Sequence, residues 1–88
     1  MNINIDSGGE FTTIDFNLAC IISLKYPIKE IRNDQGRGVF VFDYIPELDQ
    51  FVSDYWSKKL LVEPISLTNT MKTTKQRLYN EIINKKEI

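Results

Sequence analysis

The chain has 88 residues, the length of a single domain, and folded chains of this size bury roughly 60 to 65 per cent of the surface their unfolded forms expose, enough for one modest core. With 42% hydrophobic and 26% charged residues and a formal net charge of −1, it is too apolar for intrinsic disorder. It has no histidine, one cysteine and four glycines, which leaves little material for metal, nucleophilic or phosphate-loop chemistry, so no cofactor and no metal is expected.

Residues 1–9 read as a flexible arm or an edge strand, because Ile3 and Ile5 alternate and Ser7-Gly8-Gly9 supplies a turn. Residues 10–88 read as one α+β domain. A short strand is expected near 10–12, followed by a first helix over about 15–26. There Thr13 or Asp15 can cap the free amides, and Leu18, Ile21, Ile22 and Lys25, with Ala19 and Tyr26, follow a 3.6 period. Pro27 disfavours helical torsions at Tyr26 and stops that helix. Cys20 lies among Leu18, Ala19, Ile21 and Ile22, which suggests a buried thiol packing as a small hydrophobe.

Residues 28–44 read as a β-hairpin, with turn chemistry in Asn33-Asp34-Gln35-Gly36-Arg37-Gly38 and a second strand over Val39–Tyr44. Phe40, Phe42 and Tyr44 point one way and Val39 and Val41 the other, so this strand belongs in the middle of a sheet or at a subunit contact. Pro46 opens a helix over about 46–57, with Glu47 and Asp49 in its first turn and Leu48, Phe51, Val52, Tyr55 and Trp56 along one stripe. Leu60-Leu61-Val62-Glu63 is expected as a short strand or extended link. A last helix over 66–85 is capped by Ser66 and has a narrow apolar stripe built on Leu67, Met71, Leu78 and Ile82. The fold expected is therefore a small, mainly antiparallel sheet packed by three helices, the first two covering it and the third lying across an edge or end.

Charge is unevenly placed: residues 1–57 carry nine acids and four bases, whereas residues 58–88 carry three acids and seven bases. Two basic surfaces are candidates for contact with a partner or a nucleic acid. One is the hairpin with Arg32 and Arg37, and the other is the final helix with Lys72, Lys75, Arg77, Lys85 and Lys86. Asp43, Glu47, Asp49 and Asp54 form a candidate acidic contact row, although acids at a helix start commonly serve its dipole and solubility. No spacing among them demands a cation or a shared proton, and no catalytic residue is assigned.

Several segments together carry a resemblance: Phe11-Thr12-Thr13-x-Asp15-x-x-Leu18-Ala19, Val39-Phe40-Val41-Phe42-Asp43, Pro46-Glu47-Leu48 with Tyr55-Trp56, Val62-x-Pro64, and Lys75-x-Arg77-Leu78-Tyr79. Over about residues 10–80 the chain resembles the domain-of-unknown-function family numbered fifty-six fifty-nine, found in phages, plasmids and other mobile or metagenomic bacterial sequences. It departs from that pattern at Lys25-Tyr26-Pro27, where a glycine would end the first helix. The resemblance carries no activity and no site residues, and implies a mobile-element origin.

The functional expectation is a non-enzymatic binding module, a phage or mobile-element accessory protein acting through contacts with a protein partner. A homodimer could form through the apolar strand or the last helix. The alternatives are a small nucleic-acid-binding accessory factor using the basic final helix, and an inhibitor of a host defence nuclease presenting the acidic row. No stretch is long and apolar enough for a membrane span, and the N-terminal residues lack a signal-peptide pattern, so the expected location is the bacterial cytoplasm.

Overall fold

Apolar side chains at consecutive positions of Phe40-Val41-Phe42 make a strand that needs cover on both faces, and the computed structural model, which describes residues 4–5 and 9–83, places it inside a sheet. In chain order the elements are β1 (Asn4–Ile5), β2 (Glu10–Thr13), α1 (Phe16–Ser23), β3 (Glu30–Asp34), β4 (Arg37–Asp43), α2 (Pro46–Trp56) and α3 (Pro64–Ile82). The strands run antiparallel in the order β1-β2-β4-β3, so β4 is hydrogen-bonded on both sides. Asn4–Ile5 takes the edge-strand alternative, pairing with Phe11–Thr12.

Register divides the sheet into two unlike faces. Phe11 pairs with Phe42, and Thr13 and Ile31 both pair with Phe40, so these residues share one face. That face meets Leu18, Ala19 and Ile22 of α1 and Leu48 and Val52 of α2 in a single core cluster. Glu10, Thr12, Glu30, Arg32, Val39, Val41 and Asp43 alternate onto the other face, which no described helix covers. The third helix lies alongside α1 and over the β3–β4 half of the sheet, at the hairpin's turn end.

Element ends follow local chemistry. Asp15 Oδ1 accepts from the Leu18 amide at 3.0 Å and caps α1. The helix stops at Ser23, three residues before the expected end at Tyr26, because Leu24 and Lys25 donate to the carbonyls of Ile21 and Ile22 in a tightened last turn ahead of Pro27. The hairpin closes through Gln35 and Gly36, with φ of 56° and 87°. Positive φ at both central residues is the condition of a two-residue turn matching the strand twist, and Gly36 meets it without steric cost.

The strand alternative for residues 60–63 and the expected start of the last helix both give way in the second half. Residues 60–63 are the link and not a strand: they connect α2 to α3 without ladder bonds, and Leu61, 94% exposed, points away from the core. A strand there would need an open sheet edge, but the chain is returning on the helical side. The last helix begins at Pro64 and not at Ser66, because Glu63 is its cap, accepting from the amides of Ile65 at 3.0 Å and Ser66 at 2.6 Å. Those amides hold the Glu63 carboxyl below its ordinary range. The end of the expected helix, 84–85, lies outside the described residues.

Burial along α2 is narrower than its stripe. Leu48 and Val52 are buried, Phe51 and Tyr55 are half-buried, and Trp56 is 50% exposed in the last turn. Phe51 meets Tyr26 edge-on at 5.7 Å between ring centres, joining the end of α1 to α2, and Lys25 Nζ lies 5.7 Å from the Tyr26 ring centre. Thr74 of the last helix is buried against α1, where its hydroxyl bonds the Cys20 thiol. Burial raises the pKa of that thiol, and the Thr74 bond partly offsets the rise.

Candidate functional site

Strand parity puts the charged residues of the hairpin, Glu30, Arg32, Asp34, Arg37 and Asp43, on the helix-free face. Arg32 belongs to the helix-free face, where Nη2 bonds Glu10 Oε1 and Glu30 Oε2, both at 2.8 Å. Lys29 Nζ reaches Glu10 Oε2 at 2.8 Å and Asp43 Oδ1 at 3.4 Å. Glu10 is thus clamped between two cations, with only 11% of its side chain exposed, and its carboxyl is lowered to about 2, first by the Lys29 bond and then by Arg32. The clamp links β2 to β3 across the central strand, on the face where Val41 is fully buried. Arg32 and Asp43, both expected as contact residues, are therefore part of the sheet's own fastening.

Arg37 sits apart from that network, at the first position of β4 beside the turn. One residue on, Gly38 faces α3, and Leu78 lies so close that a Cβ at position 38 would overlap Leu78 Cδ1. Glycine lets the helix come down onto the hairpin there. Where α3 continues past this contact, an open groove of about 530 Å³ remains between the turn, the β2–α1 junction and the second half of the helix. Phe16, Phe40, Leu78 and Ile82 line its inner part. Ile14, Tyr79 and Ile83 stand around it, respectively 54%, 53% and 42% exposed. Arg37 and Lys75 are the charged residues of the lining, which contains no acid.

The basic residues of α3 do not form one track. Lys72 and Lys75 are one turn apart and both flank a second depression beside Phe16 and Met71. Arg77, about 200° around the helix from Lys75 at 3.6 residues per turn, donates to the Ile28 carbonyl at 3.3 Å. It borders a cleft of about 350 Å³ against Ser23, Pro27 and Ile28. Lys85 and Lys86 lie outside the described residues.

The acidic residues are also dispersed. Asp43 pairs with Lys29, and Glu47 is exposed at the start of α2. Asp49 Oδ2 accepts from the Tyr44 hydroxyl at 2.5 Å, which raises the Tyr44 pKa, while Asp49 Oδ1 is buried with no hydrogen-bond partner among the described residues. Asp54 accepts from Gln50 Nε2 at 2.8 Å along the same helix. Among the described residues no cluster of three or more acids, cysteines or histidines is placed to hold a metal ion.

Sequence reasoning found the two cations of the groove but not the groove itself. Its apolar members come from β2–α1, β4 and α3, and nothing in their spacing brings them together. The available signal was Gly38, a glycine inside a run of strand-forming residues, which marks a close approach by another element.

A search of curated proteins and of solved structures finds no match. A family model matches residues 8–80, spanning β2 through nearly all of α3. The chain belongs to the family described as a domain of unknown function, DUF5659.

Proposed function

We propose that this chain is a non-enzymatic binding module that acts through protein contacts, and that the groove between the hairpin turn and the second half of α3 is its docking surface. The observation that carries this reading is the grouping of Ile14, Tyr79 and Ile83, each about half exposed, around one apolar depression. Apolar side chains concentrated at a concave site offer a partner more burial than the same residues scattered singly would. A role as an accessory protein of a phage or mobile element, in the cytoplasm of a bacterial host, is part of the same proposal and rests on the family resemblance.

Photo-cross-linking tests it. A benzophenone amino acid placed at Tyr79 is expected to trap a discrete polypeptide in cells, whereas the same group at Glu47, exposed on α2, traps none. Equal labelling at both positions, or none at Tyr79, contradicts the reading.

A further inference from the structure

Resting on that reading, we propose that the partner's docking segment is acidic: it inserts apolar side chains beside Leu78 and Tyr79 and sets carboxylates on Arg37 and Lys75. Charge complementarity carries this. Arg32 and Lys29 are consumed by Glu10, Glu30 and Asp43, Lys25 lies over the Tyr26 and Phe51 rings, and Arg77 is bonded to Ile28. Among the described residues Arg37 and Lys75 make no such bond, and no acid lines the groove they border. Arg37, whose cross-strand neighbour Asp34 makes no ion pair with it, and Lys75 are cations beside an apolar floor, and they favour a ligand that supplies carboxylates next to bulky apolar groups. The floor is built from Leu78, Ile82 and Phe40, with Tyr79 the one half-exposed ring of the lining, and Arg77 faces elsewhere. A nucleic acid would favour stacked aromatic faces and a continuous basic track, so these observations favour a polypeptide.

The test is a selection of phage-displayed random 12-residue peptides on the immobilised full chain. The binders expected carry Leu, Ile, Phe or Trp within one helical turn of Asp or Glu. Their affinity should fall about tenfold or more in the double variant Arg37→Glu/Lys75→Glu, the scale of one lost charge-assisted hydrogen bond. Both positions are exposed, and circular dichroism of the double variant is expected to match the parent. Selection repeated on that variant should return Lys- and Arg-bearing peptides.

Neutral or basic binders to the parent chain overturn the inference, as do acidic binders indifferent to the double variant, and both leave the protein-binding reading standing. Displacement of the peptides by an oligothymidylate overturns it in favour of a nucleic-acid ligand. Self-association that the double variant abolishes overturns it in favour of a second copy. Absence of any binder also overturns it, and the cross-linking at Tyr79 then decides separately whether the module binds protein at all.

Discussion

Leu78 of α3 rests directly on Gly38 of β4, and this contact sets how closely the last helix approaches the hairpin. A methyl group at position 38 would overlap Leu78 Cδ1, while Ile31 Cγ2 would sit at an ordinary 3.6 Å. Leu78 Cδ1 is the end of a side chain able to rotate, so Gly38→Ala is expected to cost toward the lower end of the overpacking range, about 1–3 kcal/mol. Leu78→Ala removes the overlapping atom. In a double-mutant cycle followed by urea unfolding, the two substitutions together should cost less than their sum. Additivity would show that α3 does not bear on Gly38.

The ion-pair clamp on the helix-free face predicts an acid response. The Glu10 carboxyl is lowered from 4.5 to about 2 by Lys29 and Arg32, so the folded state holds it ionised more strongly than the unfolded state does. The resulting stabilisation is fully present above the unfolded pKa and is lost as pH falls from about 4.5 toward 2. Urea midpoints measured from pH 7 to pH 2 should drop over that interval, and Glu10→Gln should flatten the drop. A parallel pH profile for the variant would contradict the assignment.

Position along α2 predicts unequal costs for two apolar residues of one stripe. Leu48 is 1% exposed, and Leu48→Ala is expected to cost about 2–5 kcal/mol, whereas half-exposed Trp56, set edge-on to Tyr55, should cost under about 1.5 kcal/mol on replacement by alanine. Since a chain of 88 residues has a total stability of order 5–15 kcal/mol, the first substitution removes a large share of it. Thermal unfolding of both variants checks the order, and a larger loss at Trp56 would contradict the burial.

The buried thiol predicts silence toward alkylating reagents. Cys20 is fully buried, and burial keeps its pKa above the ordinary value despite the Thr74 bond. Iodoacetamide at pH 8 should label it only at the rate of unfolding, rising with urea in step with the loss of structure. Rapid stoichiometric labelling of the native chain would contradict this placement.

Local chemistry made much of the fold legible. Asp15 as a cap, Pro46 opening α2, the Gln35-Gly36 turn and the alternation of β4 are all decided within a few residues of sequence. Leu60-Leu61-Val62 left strand and link both open because a short apolar run has no period of its own, and tertiary context made it a link. Ser66 is not the cap because Glu63 precedes Pro64 and accepts from the free amides of Ile65 and Ser66, which starts the helix at Pro64. The candidate site was harder to read, since it depends on register. Parity alone puts Arg32 and Arg37 on the face away from Phe40, but only the pairing of β2 and β3 with β4 shows that Glu10 neutralises Arg32, and only the packing of α3 beside the turn brings Arg37 to the groove. The acidic residues, close in sequence, were parted by the turn from β4 into α2.

The central claim is that the groove beside Gly38 and Leu78 docks an acidic segment, and amide chemical-shift mapping of the isotope-labelled chain against the tightest selected acidic peptide tests it most directly. The account predicts saturable shifts concentrated at Ile14, Gly36–Gly38 and Lys75–Ile83, absent in the Arg37→Glu/Lys75→Glu variant. Shifts centred on Trp56, Leu61 and Ile65, or on the Glu10–Arg32 face, would contradict it.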